Sequence, residues 1–154
     1  MEYSIQEFSI SGQKNLWLIP GLNYGMLFTV NGSAELQTAE GIKKVGESEI
    51  LVCRPGSSTV LDYDEKPDIK LVWLIMPPEL MDELSGSGSN VRRAFERLHS
   101  RVSLISPDAD KLMLMKELIE QLRSIKQQRG SFYADLLEEG EMKMFIALLL
   151  RSFS

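Results

Sequence analysis

The chain has 154 residues, 44% of them hydrophobic and 25% charged, with a formal net charge of -5. That is enough chain for one ordinary core without staples, and the composition excludes extensive disorder. The acidic balance speaks against a chain that binds nucleic acid through a broad basic face, and the one cysteine excludes an internal disulfide.

The first half reads as short strands parted by turn signals, the rhythm of a sandwich or barrel. Leu16 to Ile19 runs into Pro20-Gly21, and Tyr24 to Val30 meets Asn31-Gly32. Ala34 to Thr38, Ile42 to Val45 and Ile50 to Cys53 follow, closed by Gly41, Gly46 and Pro55-Gly56. Ser58 to Tyr63, a charged loop over Asp62 to Asp68, and Ile69 to Met76 complete the strand-like part.

From Pro78 the periodicity becomes helical. Pro78 suits the first turn of a helix reaching about Leu84, and Ser85-Gly86-Ser87-Gly88-Ser89 reads as a flexible loop. That loop lacks the Gly-Lys-Ser/Thr ending of a phosphate-binding P-loop. Asn90 to His99 is a short helical stretch carrying Arg92, Arg93 and Arg97, whose ordinary reading is a solvated face. Ser106 is the expected N-cap of a long helix to about Gln128, with Pro107 at its first position. Its stripe of Leu112, Met115, Ile119 and Leu122, widened by Leu114, Leu118 and Ile125, exceeds what a simple surface helix needs. A last helix is expected from Phe132 to Phe153, with Met142, Phe145, Leu148 and Leu149 inward and a break at Gly140. The expected plan is α+β, with a strand domain over 1–77 and a helical region over 78–154 forming one compact unit.

Two phrases resemble the cupin signature. One is the segment Gly41 to Gly56, in which a Gly-acidic turn feeds an apolar strand that ends in Pro-Gly; the other is Met26 to Leu36, strand-Gly-strand. The order of Ile75-Met76-Pro77-Pro78-Glu79-Leu80, Arg93-Ala94-Phe95-Glu96-Arg97, Val102 to Asp108 and Leu148-Leu149-Leu150-Arg151 resembles the sensor domains of bacterial AraC-type transcription regulators. The resemblance implies a small antiparallel cupin-like β-barrel of jelly-roll type followed by helices. It also implies a small-molecule effector in the barrel and a homodimer formed through the first long helix. The DNA-binding helix-turn-helix pair of that family would begin just after Ser154, so no DNA binding is expected of these residues.

Metal-dependent cupins use a His-x-His pair, a glutamate and a third histidine. Here Thr59 stands where the third histidine is expected, and the only histidine, His99, lies beyond the strands. No metal, no cofactor and no enzyme activity are expected. Cys53 reads as a small buried hydrophobe, and Glu47, Glu49, Asp62, Asp64, Glu65 and the cluster Glu138, Glu139 and Glu141 as solvated. Effector-lining candidates are Tyr24, Met26 and Phe28, on one face of a regular strand, with Arg54 and Thr59 at the barrel mouth and Trp73 on the last strand. Core packing is the plainer role for each except Arg54, which either reaches solvent or pairs with an anion. The dimer seam is expected at Leu112, Met115, Ile119 and Leu122. The other readings are an interaction module without a small molecule, a stand-alone cupin enzyme and a direct DNA binder. No signal peptide or membrane span of roughly 20 apolar residues is found, which places the chain in the cytoplasm.

Overall fold

Short β-branched and aromatic runs between glycine turns build nine strands among the described residues. In the computed structural model, which describes residues 1–10, 15–62, 69–128 and 133–153, these are β1 (Ser4–Ile10), β2 (Asn15–Leu18), β3 (Tyr24–Asn31), β4 (Ala34–Thr38), β5 (Gly41–Val45), β6 (Ile50–Cys53), β7 (Thr59–Asp62), β8 (Ile69–Met76) and β9 (Val102–Ile105). All pairings are antiparallel. They form a five-stranded sheet, β1-β8-β3-β6-β9, and a four-stranded sheet, β2-β7-β4-β5. The first eight strands alternate between the sheets, except for the β4–β5 hairpin within the four-stranded sheet, in the order of a double-sheet jelly roll. The expected antiparallel, jelly-roll α+β class therefore holds. The two sheets face each other without hydrogen bonding into one closed barrel among the described residues.

Two turns show why glycine is required. Gly32 (φ 76°) and Gly56 (φ 82°) adopt left-handed backbone, where a Cβ is strained. The Gly56 N–H donates to the Gly21 carbonyl at 2.8 Å, so the two Pro-Gly turns expected from sequence hold each other.

Alternation along the strands sends one set of side chains between the sheets. Leu18, Leu27, Ala34, Leu36, Val45, Leu51, Cys53, Leu71, Trp73 and Val102 form that core, flanked by Phe8, Ile69, Ile75 and Leu104. The opposite face of the four-stranded sheet is open, with Trp17 61% and Ile42 70% exposed.

The unit that contains the jelly roll runs from Glu2 to Ser106, past the change of periodicity at residue 77. The reason is β9. It pairs with β6 from Ile50↔Ile105 to Cys53↔Val102, and so keeps α1 (Pro78–Leu84) and α2 (Val91–Glu96) within the unit. Asn90 caps α2 by accepting from the Arg93 N–H at 3.0 Å.

A second unit, Pro107–Ser154, is a pair of helices, α3 (Ala109–Gln127) and α4 (Ala134–Arg151). α3 starts three residues after Ser106, with Asp108 rather than Ser106 in the N-cap position. α4 continues through Gly140, because one glycine weakens a helix by about 1 kcal/mol, less than burial along its face contributes. The expected helix start at Phe132 and the breaker Gly130 lie outside the described residues, as does most of the charged loop, 63–68.

Candidate functional site

Register settles which candidate side chains face the interior. Leu27 pairs with Trp73 on β8 and with Leu51 on β6, and all three belong to the inner core. Tyr24, Met26 and Phe28 alternate with Leu27 and pair with Met76, Leu74 and Val72. They share one face, but it is the outer face of the five-stranded sheet. The assignment of these three to the barrel lining is thereby corrected. β3 is buried on both faces from Tyr24 to Thr29, so hydrophobicity alone does not say which side is inside.

Trp73 and Thr59 do point inward. Thr59 pairs with Leu18 and Thr38, is fully buried, and lies within 3.5 Å of the Leu18 carbonyl. The Thr29 hydroxyl, also inside, donates to the Gly46 carbonyl at 2.6 Å. Both hydroxyls thus have backbone acceptors, and the buried cluster around them is apolar; the half-buried Lys43, opposite Leu36, and Thr38, opposite Thr59, share that inner face. The Cys53 thiol sits there as well, and burial pushes its pKa up to about 12. It is a packing residue, not a nucleophile.

A polar cluster joins the outer face to α2. The Tyr24 hydroxyl donates to Glu96 Oε1 at 2.8 Å, and Arg54 Nη1 reaches Glu96 Oε2 at 3.3 Å and the Glu96 carbonyl at 3.2 Å. The Tyr24 ring packs edge-on against Phe95, with centroids 5.0 Å apart. Burial, reinforced by the hydrogen bond to and negative charge of Glu96, raises the Tyr24 pKa to about 12. Arg54 therefore pairs with an anion, as one of its two readings anticipated, and that anion is the chain's own Glu96. Glu96 was missed because an acidic residue in a short polar helix carries no signal of a distant partner.

Beyond α2 lies a groove of about 510 Å³. The loop Ser85 to Ser89 and the exposed side chains of Arg93 and Arg97 form its walls. The Ser89 hydroxyl accepts the Gly86 N–H at 3.2 Å, and the Gly86 carbonyl accepts the Ser89 N–H at 3.3 Å, which closes the loop into a turn. Among the described residues, no three His, Cys, Asp or Glu side chains are grouped to hold a metal.

In the helical unit, Leu112, Met115, Leu118, Ile119 and Leu122 of α3 are buried, as are Met142, Phe145, Ile146 and Leu149 of α4. The four residues expected at a dimer seam are at most 6% exposed within a single chain. Their burial within one chain leaves them little free surface: apolar periodicity shows that a face is covered, not by what. The apolar side chains that α3 leaves open are Met113 and Leu114, and α4 leaves Leu136, Leu137 and Met144. No helix among the described residues is long and apolar enough to cross a membrane.

No protein-family model and no curated sequence matches the chain. Solved structures do. Apo ToxT from Vibrio cholerae strain SCE256 superposes over 99% of this chain and 57% of its own, with a TM-score of 0.65 at 10% identity. Unsaturated fatty acid-bound ToxT from the same strain gives 0.63 at 10% identity, over 99% of this chain and 56% of that one. The AraC-like transcriptional activator CuxR gives 0.56 at 12% identity, over 87% and 43%. The chain thus spans about half the length of these proteins. Its fold, jelly roll and following helices together, is shared with ToxT and with the AraC-like activator CuxR, in agreement with the regulator family its sequence resembles.

Proposed function

We propose that this chain is the effector-binding and dimerising part of a bacterial AraC-type transcription regulator, whose DNA contacts are made by a half outside these residues. It is not an enzyme in this reading, and it acts in the cytoplasm. The observation that carries the proposal is the match to ToxT over both the strand and the helical elements, 99% of the chain. The chain's length relative to ToxT leaves room for a separate DNA-binding half.

The interior decides the class of effector. Its buried cluster is apolar, and Thr29 and Thr59 already have backbone acceptors. The half-buried Lys43, opposite Leu36, brings one positive charge to the edge of that face. A ligand polar throughout would therefore lose its hydration without gaining enough partners. An apolar or amphipathic effector suits it, and one of the ToxT structures is bound to an unsaturated fatty acid. The signal would pass to the helical unit as a shift between two packings, a coupling typically worth about 1–3 kcal/mol. The homodimer would form through exposed apolar side chains of that unit, Met113 and Leu114 on α3 first among them.

A second reading is favoured by the burial of Trp73 and its neighbours between the sheets: an interaction module that takes no small molecule. Titration of the isotope-labelled chain with monomeric oleate separates the two. The effector reading predicts saturable shifts at the amides of Leu27, Leu51 and Trp73. Shifts confined to surface residues, or none, leave the interaction module.

A further inference from the structure

The groove beside α2 has a chemistry that the jelly-roll interior lacks. All the charge lining it is positive: Arg93 on α2 and Arg97, the C-cap residue just past its end, stand four residues apart, and the remaining walls are serines, glycines, Asn90 and Ala94. The other charged groups of α2 are engaged elsewhere. Arg92 pairs with Asp82 of α1 at 3.3 Å, and Glu96 holds Arg54 and Tyr24. Among the described residues neither Arg93 nor Arg97 forms an ion pair, although acidic side chains outnumber basic ones in the chain, 22 to 17.

The groove is also held in shape. Phe95, fully buried, fixes α2 against Tyr24, and Ser85 Oγ accepts the Val91 N–H at 2.9 Å while donating to the Met81 carbonyl at 2.9 Å. At the tip of the loop a Cβ on Gly88 would meet nothing within 4 Å, so the space beside that residue is open. The donors available are two guanidinium forks, the Ser87 hydroxyl and the loop-tip amides. That set suits a tetrahedral oxyanion with several acceptors, since arginine forks pair two hydrogen bonds at a time with phosphate or carboxylate. The groove, about 510 Å³ and open to solvent along one side, leaves room for an organic group beside the anion.

We infer that this groove is a second ligand site, separate from the jelly-roll interior, which takes a small molecule bearing a phosphate group, held by Arg93 and Arg97 over the Ser85–Ser89 loop. The charge comes from side chains and not from a helix terminus, and no P-loop sequence is involved.

The test is a titration of the isotope-labelled chain with phenyl phosphate and, separately, with benzoate, at constant ionic strength. The amides of Ser87 and Gly88 and the Nε–H signals of Arg93 and Arg97 are followed. Phenyl phosphate is expected to give saturable shifts and to bind about tenfold or more tightly than benzoate. The double variant Arg93→Gln/Arg97→Gln, whose side chains are exposed and whose fold is checked by its spectrum, is expected to lose the response. It should keep the oleate response of the interior, so the failure of one site is told from the failure of the other. Arg93→Lys/Arg97→Lys, which keeps charge but not the forks, should fall between. Equal binding of benzoate overturns the phosphate assignment. Shifts that rise linearly without saturation, or that persist in the double glutamine variant, overturn the site.

Discussion

The indole of Trp73 lies against the backbone of Gly25. A Cβ placed on Gly25 would fall 2.6 Å from Trp73 Cζ2 and overlap Cη2 as well. The two residues sit on neighbouring strands, Gly25 opposite Ile75 and Trp73 opposite Leu27, so the ring crosses diagonally to the one position without a side chain. Glycine within a strand commonly marks such a close approach. Gly25→Ala is expected to destabilise the chain by about 1–3 kcal/mol through overpacking. The smaller Trp73→Leu in the same chain should recover part of that loss. Urea unfolding of the two single variants and the double variant measures the coupling; additive losses would mean that the indole lies elsewhere.

Tyr24 makes the alkaline limb of stability report on the Glu96 cluster. Its phenol has a raised pKa of about 12 in the folded chain, against about 10 for an unfolded tyrosine. The neutral phenol is therefore favoured by folding. The contribution is complete below pH 10 and disappears as the pH rises through 12. Tyr24→Phe is expected to cost about 0.5–1.5 kcal/mol at neutral pH for the lost hydrogen bond. The difference between the wild-type chain and this variant should shrink as pH climbs from 10 to 12. A difference constant over that window would contradict the hydrogen bond to Glu96.

Cys53 should be silent towards thiol reagents. It is fully buried with its pKa raised to about 12, so the native chain contains almost no thiolate at pH 8. Labelling by Ellman's reagent is expected only at the rate at which the jelly roll opens, and to become fast in denaturant. Rapid stoichiometric labelling of native protein would place the thiol outside the inner core.

The helical unit separates folding from association. Met115 is fully buried, so Met115→Asp should unfold α3 and α4, since an unpaired carboxylate in a core costs several kcal/mol. Leu114 is 38% exposed, and Leu114→Glu should leave helicity and melting of the monomer unchanged. If the chain dimerises through this face, sedimentation equilibrium will show Leu114→Glu weakened at unchanged circular dichroism. A dimer unaffected by Leu114→Glu and Met113→Glu together would place the interface elsewhere.

The legibility of the fold tracks the strength of local signals. β4, β6 and β8 appear where turns on both sides bracket apolar runs, at Ala34–Thr38, Ile50–Cys53 and Ile69–Met76. β1 and β9 went unmarked. Ser4–Ile10 mixes polar and apolar residues on both faces, and Val102–Ile105 is a four-residue run between helices. The site was less legible than the fold. Tyr24-Gly25-Met26-Leu27-Phe28 is apolar on both faces, so the larger aromatic set drew attention to the wrong one. Gly25 was the clue to the inner face, because only that side needed room for Trp73. The α3 stripe was legible as a buried face, but its partner was not, because periodicity reports coverage and not what provides it.

The central claim is that the space between the sheets admits an apolar effector, and Trp73 reports on it directly. Trp17 is 61% exposed and Trp73 only 3%, so in a Trp17→Phe variant the fluorescence comes from the interior. Titration of that variant with monomeric oleate is predicted to give a saturable change in Trp73 emission, with a rise in melting temperature that grows with ligand concentration. Emission that stays constant at saturating oleate would contradict an effector site in the jelly roll and leave the chain an interaction module.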